Sequence, residues 1–189
     1  KSLIKTPGNG PLIAELAGLR HFEHDFETSI RLNRRLILLM PTSATPYANI
    51  AEGLAELQNE SEALLSMEKA IALDPNSAQL RLNSAFTLLA LGRYTDGWTA
   101  YEARLEPEIA DAPKRNLDLP RWRGEPLDNK HILVCGEQGV GDEIFFGAYL
   151  AKLARHAAMV TVEADPRLVP LFKRSLPGAL VHPYSRRIV

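Results

Sequence analysis

The chain reads as α + α/β: helical hairpins stacked as repeats, followed by a partial parallel β-α-β-α-β unit. Three observations carry that prediction. Pro41 and Pro75 each close a stretch of helical periodicity, and their spacing matches a helical-repeat period of ~34 residues. Farther on, the short apolar run Ile132-Leu133-Val134 leads through the glycine-rich stretch Gly136–Gly141 into an apolar segment of helical character. Between them, from Glu106 to Pro120, the composition turns to Pro, Asp and charge without a period, which predicts a boundary between two units.

Composition bounds what such a chain does. Among 189 residues, 22 Lys and Arg face 23 Asp and Glu, for a formal net charge of -1. That balance supplies no electrostatic reason for nucleic acid or an anionic membrane as a partner. The hydrophobic share is 46%, and no apolar run approaches the ~20 residues of a membrane span. Cys135 is the only cysteine, so neither an intrachain disulfide nor a CxxC metal site is available. That cysteine usage fits a cytoplasmic setting, and the opening at Lys1 without a charged-then-apolar leader is read as a mature or trimmed fragment rather than a secretory precursor. The abrupt start at Lys1 and end at Val189 are read as the trimmed ends of a longer chain.

Taken in order, residues 1–105 hold the repeats. Placing each proline in the last turn of a repeat gives units of about 10–43, 44–77 and 78–105. The close-packing position of the first helix then carries Ala17, Ala51 and Ala85, and that of the second carries Ser29, Ala63 and Gly97. Small side chains recur there because helices crossing at short range leave no room for larger ones. Leu54, Leu57, Leu64, Leu65, Ile71 and Leu73 are expected as core. The middle copy, with Tyr47, Ile50, Ala51, Leu54, Ala63, Met67, Ala70 and Pro75, resembles a tetratricopeptide repeat. The third copy lacks a closing proline, and the first has Arg20 and Asn33 where apolar or aromatic residues are expected. Arrays of this kind bury their faces by stacking, so two to three copies are marginal alone.

Asn49 and Asn83 are separated by the same interval as the two prolines, on the first helix of successive units. The repeats resemble those of O-linked N-acetylglucosamine transferases, and that resemblance implies an asparagine ladder gripping the backbone of an extended protein or peptide partner. A side-chain amide offers one donor group and one acceptor, which reads a backbone irrespective of sequence. A solvated surface is the other reading, and the first copy has Glu15 at that position.

Residues 106–130 form the connector, in which Trp122 is expected to anchor against a folded neighbour rather than to stack on bases. Residues 131–189 form the partial α/β unit. Strands are predicted at Lys130–Val134, Met159–Glu163 and Ala179–His182, with helices from Ile144 to Ala154 and from an Asp165 cap to Arg174. Sequence of this order implies a parallel sheet. A P-loop is excluded, because Asp142 and Glu143 stand where that loop needs Lys and a hydroxyl residue. A dinucleotide site lacks its third glycine, although Glu163 ends the second strand where a ribose-binding acid belongs. Cys135 is read as core, and His21 and His24, spaced for one helix face, find no further metal ligands, so no metal is expected.

Pro120, Trp122, Gly124-Glu125-Pro126-Leu127, the run Glu137-Gln138-Gly139-Val140-Gly141-Asp142-Glu143 and Leu176-Pro177-Gly178 resemble bacterial tetratricopeptide proteins with a glycosyltransferase-like domain. That domain is similar to heptosyltransferases and, more distantly, to O-linked N-acetylglucosamine transferase. The resemblance implies a Rossmann-like amino-terminal lobe of the two-lobed GT-B fold. It implies Asp142 as catalytic base, with Glu137 orienting the acceptor and Gln138, Gly139 and Gly141 contacting substrate. His182, at a strand end, is a candidate for the same crevice. The substrates implied are a sugar nucleotide donor and a glycan or protein acceptor, with no resident cofactor. Asp142 as a helix cap remains the competing reading. Because the donor lobe is absent, the 189-residue chain is not expected to transfer sugar by itself, and a non-enzymatic adaptor or scaffold is the alternative function.

Overall fold

A computed structural model describes residues 8–109, 117–137 and 139–184. The chain divides into two compact units, Lys1–Lys114 and Arg115–Val189.

In the first unit, three helical hairpins follow one another: α1 (Gly10–Phe22) with α2 (Phe26–Leu39), α3 (Ala44–Glu56) with α4 (Glu60–Leu73), and α5 (Ala78–Ala90) with α6 (Tyr94–Tyr101). A 3-10 turn, Glu102–Leu105, follows α6. Local chemistry starts the helices. Asn9, Asp25 and Ser77 accept from the backbone N–H groups of Leu12, Thr28 and Leu80 at 3.1, 3.2 and 3.3 Å, satisfying donors that have no intrahelical partner.

Within each hairpin the first helix stops the same way. His24, Gln58 and Gly92 occupy one position of successive repeats and have φ of 60°, 58° and 73°. The next residue then donates back across the helix end: Asp25 to Arg20 O at 2.8 Å, Asn59 to Leu54 O at 2.9 Å, and Arg93 to Leu88 O at 2.9 Å. This is a left-handed helix stop repeated three times, and only the third copy uses the glycine that adopts it without strain. The second helices end differently. Met40 and Asp74 leave the helical region with φ of -139° and -138°, as residues ahead of Pro41 and Pro75 must.

Packing follows the small residues. Ala17, Ala51, Ala85, Ser29, Ala63 and Gly97 are all buried, and a Cβ at Gly97 would lie 2.8 Å from the Leu89 side chain. Ile13, Leu36 and Met67 are the largest apolar residues fully enclosed around them. Two expected core positions are corrected: Leu57 caps α3 and Leu65 lies on the outer face of α4, and both are exposed. His21 and His24 do not share a helix face, because α1 ends at Phe22; both rings instead meet Phe26 edge-on.

The second unit is a small three-stranded parallel sheet, β1 (His131–Cys135), β2 (Met159–Ala164) and β3 (Leu180–Pro183), in the order β1-β2-β3. Register places Val134, Val162 and Val181 side by side, and Leu133, Thr161 and Leu180 side by side on the opposite face. The helices are α7 (Val140–Gly147), α8 (Leu150–Leu153) and α9 (Val169–Ser175). Leu150, Leu168, Phe172 and Leu176 pack with Val160, Val162 and Val181, and Ile132 and Val134 complete that core. All of these strand residues belong to one face, because alternate residues of a strand point opposite ways.

Two local expectations are revised. The helix predicted from Ile144 to Ala154 breaks between Gly147 and Leu150. A side chain at 147 would press on Phe172, with a Cβ 2.7 Å from its ring, so the helix passes the core closely there. Asp165 does not cap a helix: it opens a turn, Leu168 N donating to Asp165 O at 2.8 Å, and α9 starts only at Val169. Trp122 donates its indole N–H to Glu125 O at 2.7 Å within its own segment and lines a cleft together with Leu127, Tyr149 and Leu153.

Candidate functional site

Two places gather polar side chains that the repeats and the sheet position. On the first helices of the array, Asn49 is half-buried and donates through Nδ2 to Asn33 Oδ1 at 3.2 Å. Asn33 is fully buried on α2; its own amide donates to Ser29 O at 3.0 Å, and the Ser29 hydroxyl donates to Ala17 O at 2.9 Å. That chain accounts for the polar residue in the first copy: a buried amide is tolerated when its groups are bonded. Asn83, one repeat after Asn49, donates to Glu52 Oε1 at 2.8 Å and accepts from Gln79 Nε2 at 2.7 Å. The two asparagines thus occupy one repeated position and touch different neighbours. Around Asn83 the bonds are solvent-exposed.

The second place is the carboxyl end of the sheet. Glu143, in the first turn of α7, receives Asp165 N–H at Oε2 and the Tyr184 hydroxyl at Oε1, both at 2.8 Å. Asp165 follows β2 and Tyr184 follows β3; the end of β1 joins through Gly136, whose N–H donates to Glu163 O at 2.8 Å. A Cβ at Gly136 would lie 2.6 Å from Glu143 Oε1 and 3.0 Å from the Tyr184 ring. One carboxylate therefore ties the ends of β2 and β3 and lies against Gly136 at the end of β1, where only a glycine lets it approach. Beside it, buried Asp165 accepts from Arg167 N, Nε and Nη2 at 3.0, 2.9 and 2.9 Å. The hydrogen bond that Arg167 donates to Asp165, reinforced by the carboxylate's charge, raises the Arg167 pKa above its usual value.

The residues expected from sequence are not gathered into this knot. Asp142 is exposed, and no hydrogen-bond partner for it exists among the described residues. It does not cap α7, because Gly139 is the N-cap and no side-chain cap bond forms there; it adds its charge to a helix amino terminus that favours anions. Glu137 is exposed just after β1. Gly139 is extended, with φ of -75°, and a side chain at Gly141 would meet open space, so neither glycine is required by backbone conformation. Gln138 lies outside the described residues. His182 is exposed and in register with Glu163 and Cys135, on the sheet face opposite the core. Asp142 belongs to α7, whose Val140 packs on the core face, so the two are not brought together. No group of three or more His, Cys, Asp or Glu suited to a metal occurs among the described residues. Among the same residues, no helix is long and apolar enough to cross a membrane.

Glu143, Gly136, Asp165 and Tyr184 were not singled out as a group by sequence reasoning. Their positions are spread from the end of β1 to the end of β3, and no local pattern joins them; the only trace is the doubled acid Asp142-Glu143 after the glycines.

No protein-family model matches the chain. Protein FlbA of Caulobacter vibrioides is 34% identical over 159 residues, covering 80% of this chain and 25% of FlbA. Small glutamine-rich tetratricopeptide repeat-containing protein 2 of Saccharomyces cerevisiae is 28% identical over 104 residues, covering 53% of this chain and 30% of that protein. The chain thus spans about a quarter to a third of the curated relatives it matches. Among solved structures, MamA superposes with a TM-score of 0.52 at 20% identity, over 58% of this chain and 63% of MamA. The first TPR of Spaghetti, bound to the HSP90 peptide SRMEEVD, gives 0.50 at 17% identity, over 53% of this chain and 80% of that one. Together with the threefold helix stop and the buried small residues, these likenesses establish the fold: tetratricopeptide-type helical repeats, followed by a small parallel sheet.

Proposed function

We propose that the repeats hold an extended segment of a partner protein or peptide, so that the chain works as a binding module of the adaptor type. The observation that carries this reading is the pair Asn49 and Asn83. They recur at one repeat position, on first helices, and around Asn83 the amide bonds are to exposed side chains that a ligand backbone can replace. The same fold holds a peptide in the Spaghetti structure, and the reading brings that mode of recognition to this chain. The test is selection of binders from a random nonapeptide library on the 189-residue chain. Binding of the recovered peptides should weaken about tenfold in the Asn49→Ala, Asn83→Ala double variant, roughly the loss of two modest hydrogen bonds. Unchanged affinity would remove the amides from the interaction.

A second reading is favoured by Asp142, a carboxylate without a hydrogen-bond partner among the described residues, carried at the mouth of a parallel sheet. Ligands gather there in larger α/β sheets. In this reading the sheet is part of a Rossmann-like acceptor lobe of a GT-B glycosyltransferase. Asp142 takes the proton of an acceptor hydroxyl as its oxygen attacks the anomeric carbon and the nucleotide diphosphate leaves. Glu143 is the positioning residue that holds the strand ends and the start of α7. The full-length product is assayed for transfer from sugar nucleotides, in a cytoplasmic extract and purified, with and without Asp142→Asn. Turnover indifferent to that substitution excludes Asp142 as base; absence of sugar-nucleotide binding leaves the adaptor reading alone.

A further inference from the structure

Resting on the peptide-binding reading of the repeats, in which the first helices line the binding groove, we propose that the segment held there is basic, with Lys or Arg side chains set against those helices. In that reading the amides read the backbone, and charge decides which side chains are accepted. On α1, α3 and α5 one repeated position carries Glu15, Asn49 and Asn83, and the row continues along the same face of α3 with Glu52 and, one turn on, Glu56. The bond from Asn83 to Glu52 fixes the rows of α3 and α5 side by side. No Lys or Arg stands in these rows. The two arginines of the first helices are already engaged: Arg20 pairs with Glu23 at 2.8 Å, and Arg81 with Glu106 at 2.6 Å while also donating to Pro75 O.

Cations of the array stand elsewhere. Arg31, Arg34, Arg35 and Lys69 are on the second helices, and Arg93 and Arg104 pair with Asp96 and Glu102. Residues 1–114 hold 15 acidic against 11 basic residues, a net of -4, whereas residues 115–189 hold 8 against 11. The near-neutral whole therefore conceals an acidic repeat unit, and a field of that sign steers cationic segments toward it. Phe86 ends the row on α5, 57% exposed, its ring edge-on to Tyr101 at 6.0 Å. An exposed ring face beside carboxylates suits the aliphatic stem and the charged head of Lys or Arg. An acidic segment such as SRMEEVD would instead set carboxylates against Glu52 and Glu56 with no cation in the row to receive them.

The experiment is fluorescence anisotropy of the 189-residue chain with two fluorescein-labelled peptides of equal length, SRMEEVD and its charge-reversed counterpart SRMKKVK. SRMKKVK should bind about tenfold or more tighter at about 50 mM salt, and the advantage should shrink strongly at about 500 mM, where screening is short-ranged. Glu52→Gln with Glu56→Gln should erase most of that advantage. The control pair Glu62→Gln and Glu68→Gln, on α4, should leave it intact. Equal or tighter binding of SRMEEVD overturns the basic preference and leaves the groove standing. An equal loss in the α4 control overturns it as well, by showing attraction to the whole acidic unit rather than to the groove. If neither peptide binds and the nonapeptide library also yields no binders, the groove reading falls and this inference falls with it.

Discussion

The repeat unit and the sheet unit solve the same problem, closing a small core, at different ranges. In the repeats the contacts that decide the fold recur from one hairpin to the next: a small residue on each helix, a left-handed stop at His24, Gln58 and Gly92, and, in the first two copies, an extended residue ahead of a proline at the exit. Each hairpin is specified by its own sequence and then stacks on the next. In the sheet unit the decisive contact is made once, by Glu143, among residues 136, 165 and 184. Its loss has no second copy to compensate it. A repeat array distributes its stability, whereas a minimal parallel sheet concentrates it at the strand ends.

Substitutions sharpen that contrast, and the largest effects should come from the cores. Met67→Ala empties a fully buried site between the repeats and should lower stability in urea unfolding by about 2–5 kcal/mol; a loss below about 1 kcal/mol would mean that the array collapses around the gap. Gly136→Ala forces the Glu143 carboxylate and the Tyr184 ring aside and should cost about 1–3 kcal/mol. In a double-mutant cycle with Glu143→Ala that cost should largely vanish, since the clashing group is gone. Additive losses would contradict the single-carboxylate tie.

Smaller effects test the repeats. Asn33→Ala leaves the half-buried Asn49 amide without its partner and removes the added side-chain bond to Ser29 O, and should destabilise by about 1–3 kcal/mol. Gln58→Gly should stabilise and Gly92→Ala destabilise, each by about 1 kcal/mol, because Gln58 and Gly92 hold φ of 58° and 73°. If the two changes have the same sign, the stops are not equivalent. The smallest effect is a pH dependence. The Thr28 hydrogen bond holds the Asp25 carboxyl below its ordinary 3.8, so its contribution is present above pH ~4 and is lost as pH falls through the lowered value. Melting temperatures recorded from about pH 6 to about pH 3 should fall less for Asp25→Asn than for the parent chain.

The same contrast explains what was legible in the sequence. Periodicity located the helical repeats and the small residues because those are local and recurrent, and apolar runs located the three strands. The stops at His24 and Gln58 stayed hidden since neither residue is a usual left-handed one, and Asn33 read as a misfit because its partners, Ser29 and Asn49, lie on another turn and another repeat. The break after Gly147 comes from the close approach of Phe172, on a helix beyond β2. At the strand ends, a glycine-rich turn drew attention to Gly139 and Gly141, yet the position that admits no side chain is Gly136. That requirement is created by tertiary contacts with Glu143 and Tyr184.

The most direct test of the account is to follow the side-chain amide resonances of Asn33, Asn49 and Asn83 by 15N NMR while SRMKKVK is added to the chain. The account predicts that Asn49 and Asn83 shift with one common saturation curve while buried Asn33 moves least. Saturable binding that leaves both the Asn49 and the Asn83 amides unmoved would contradict it.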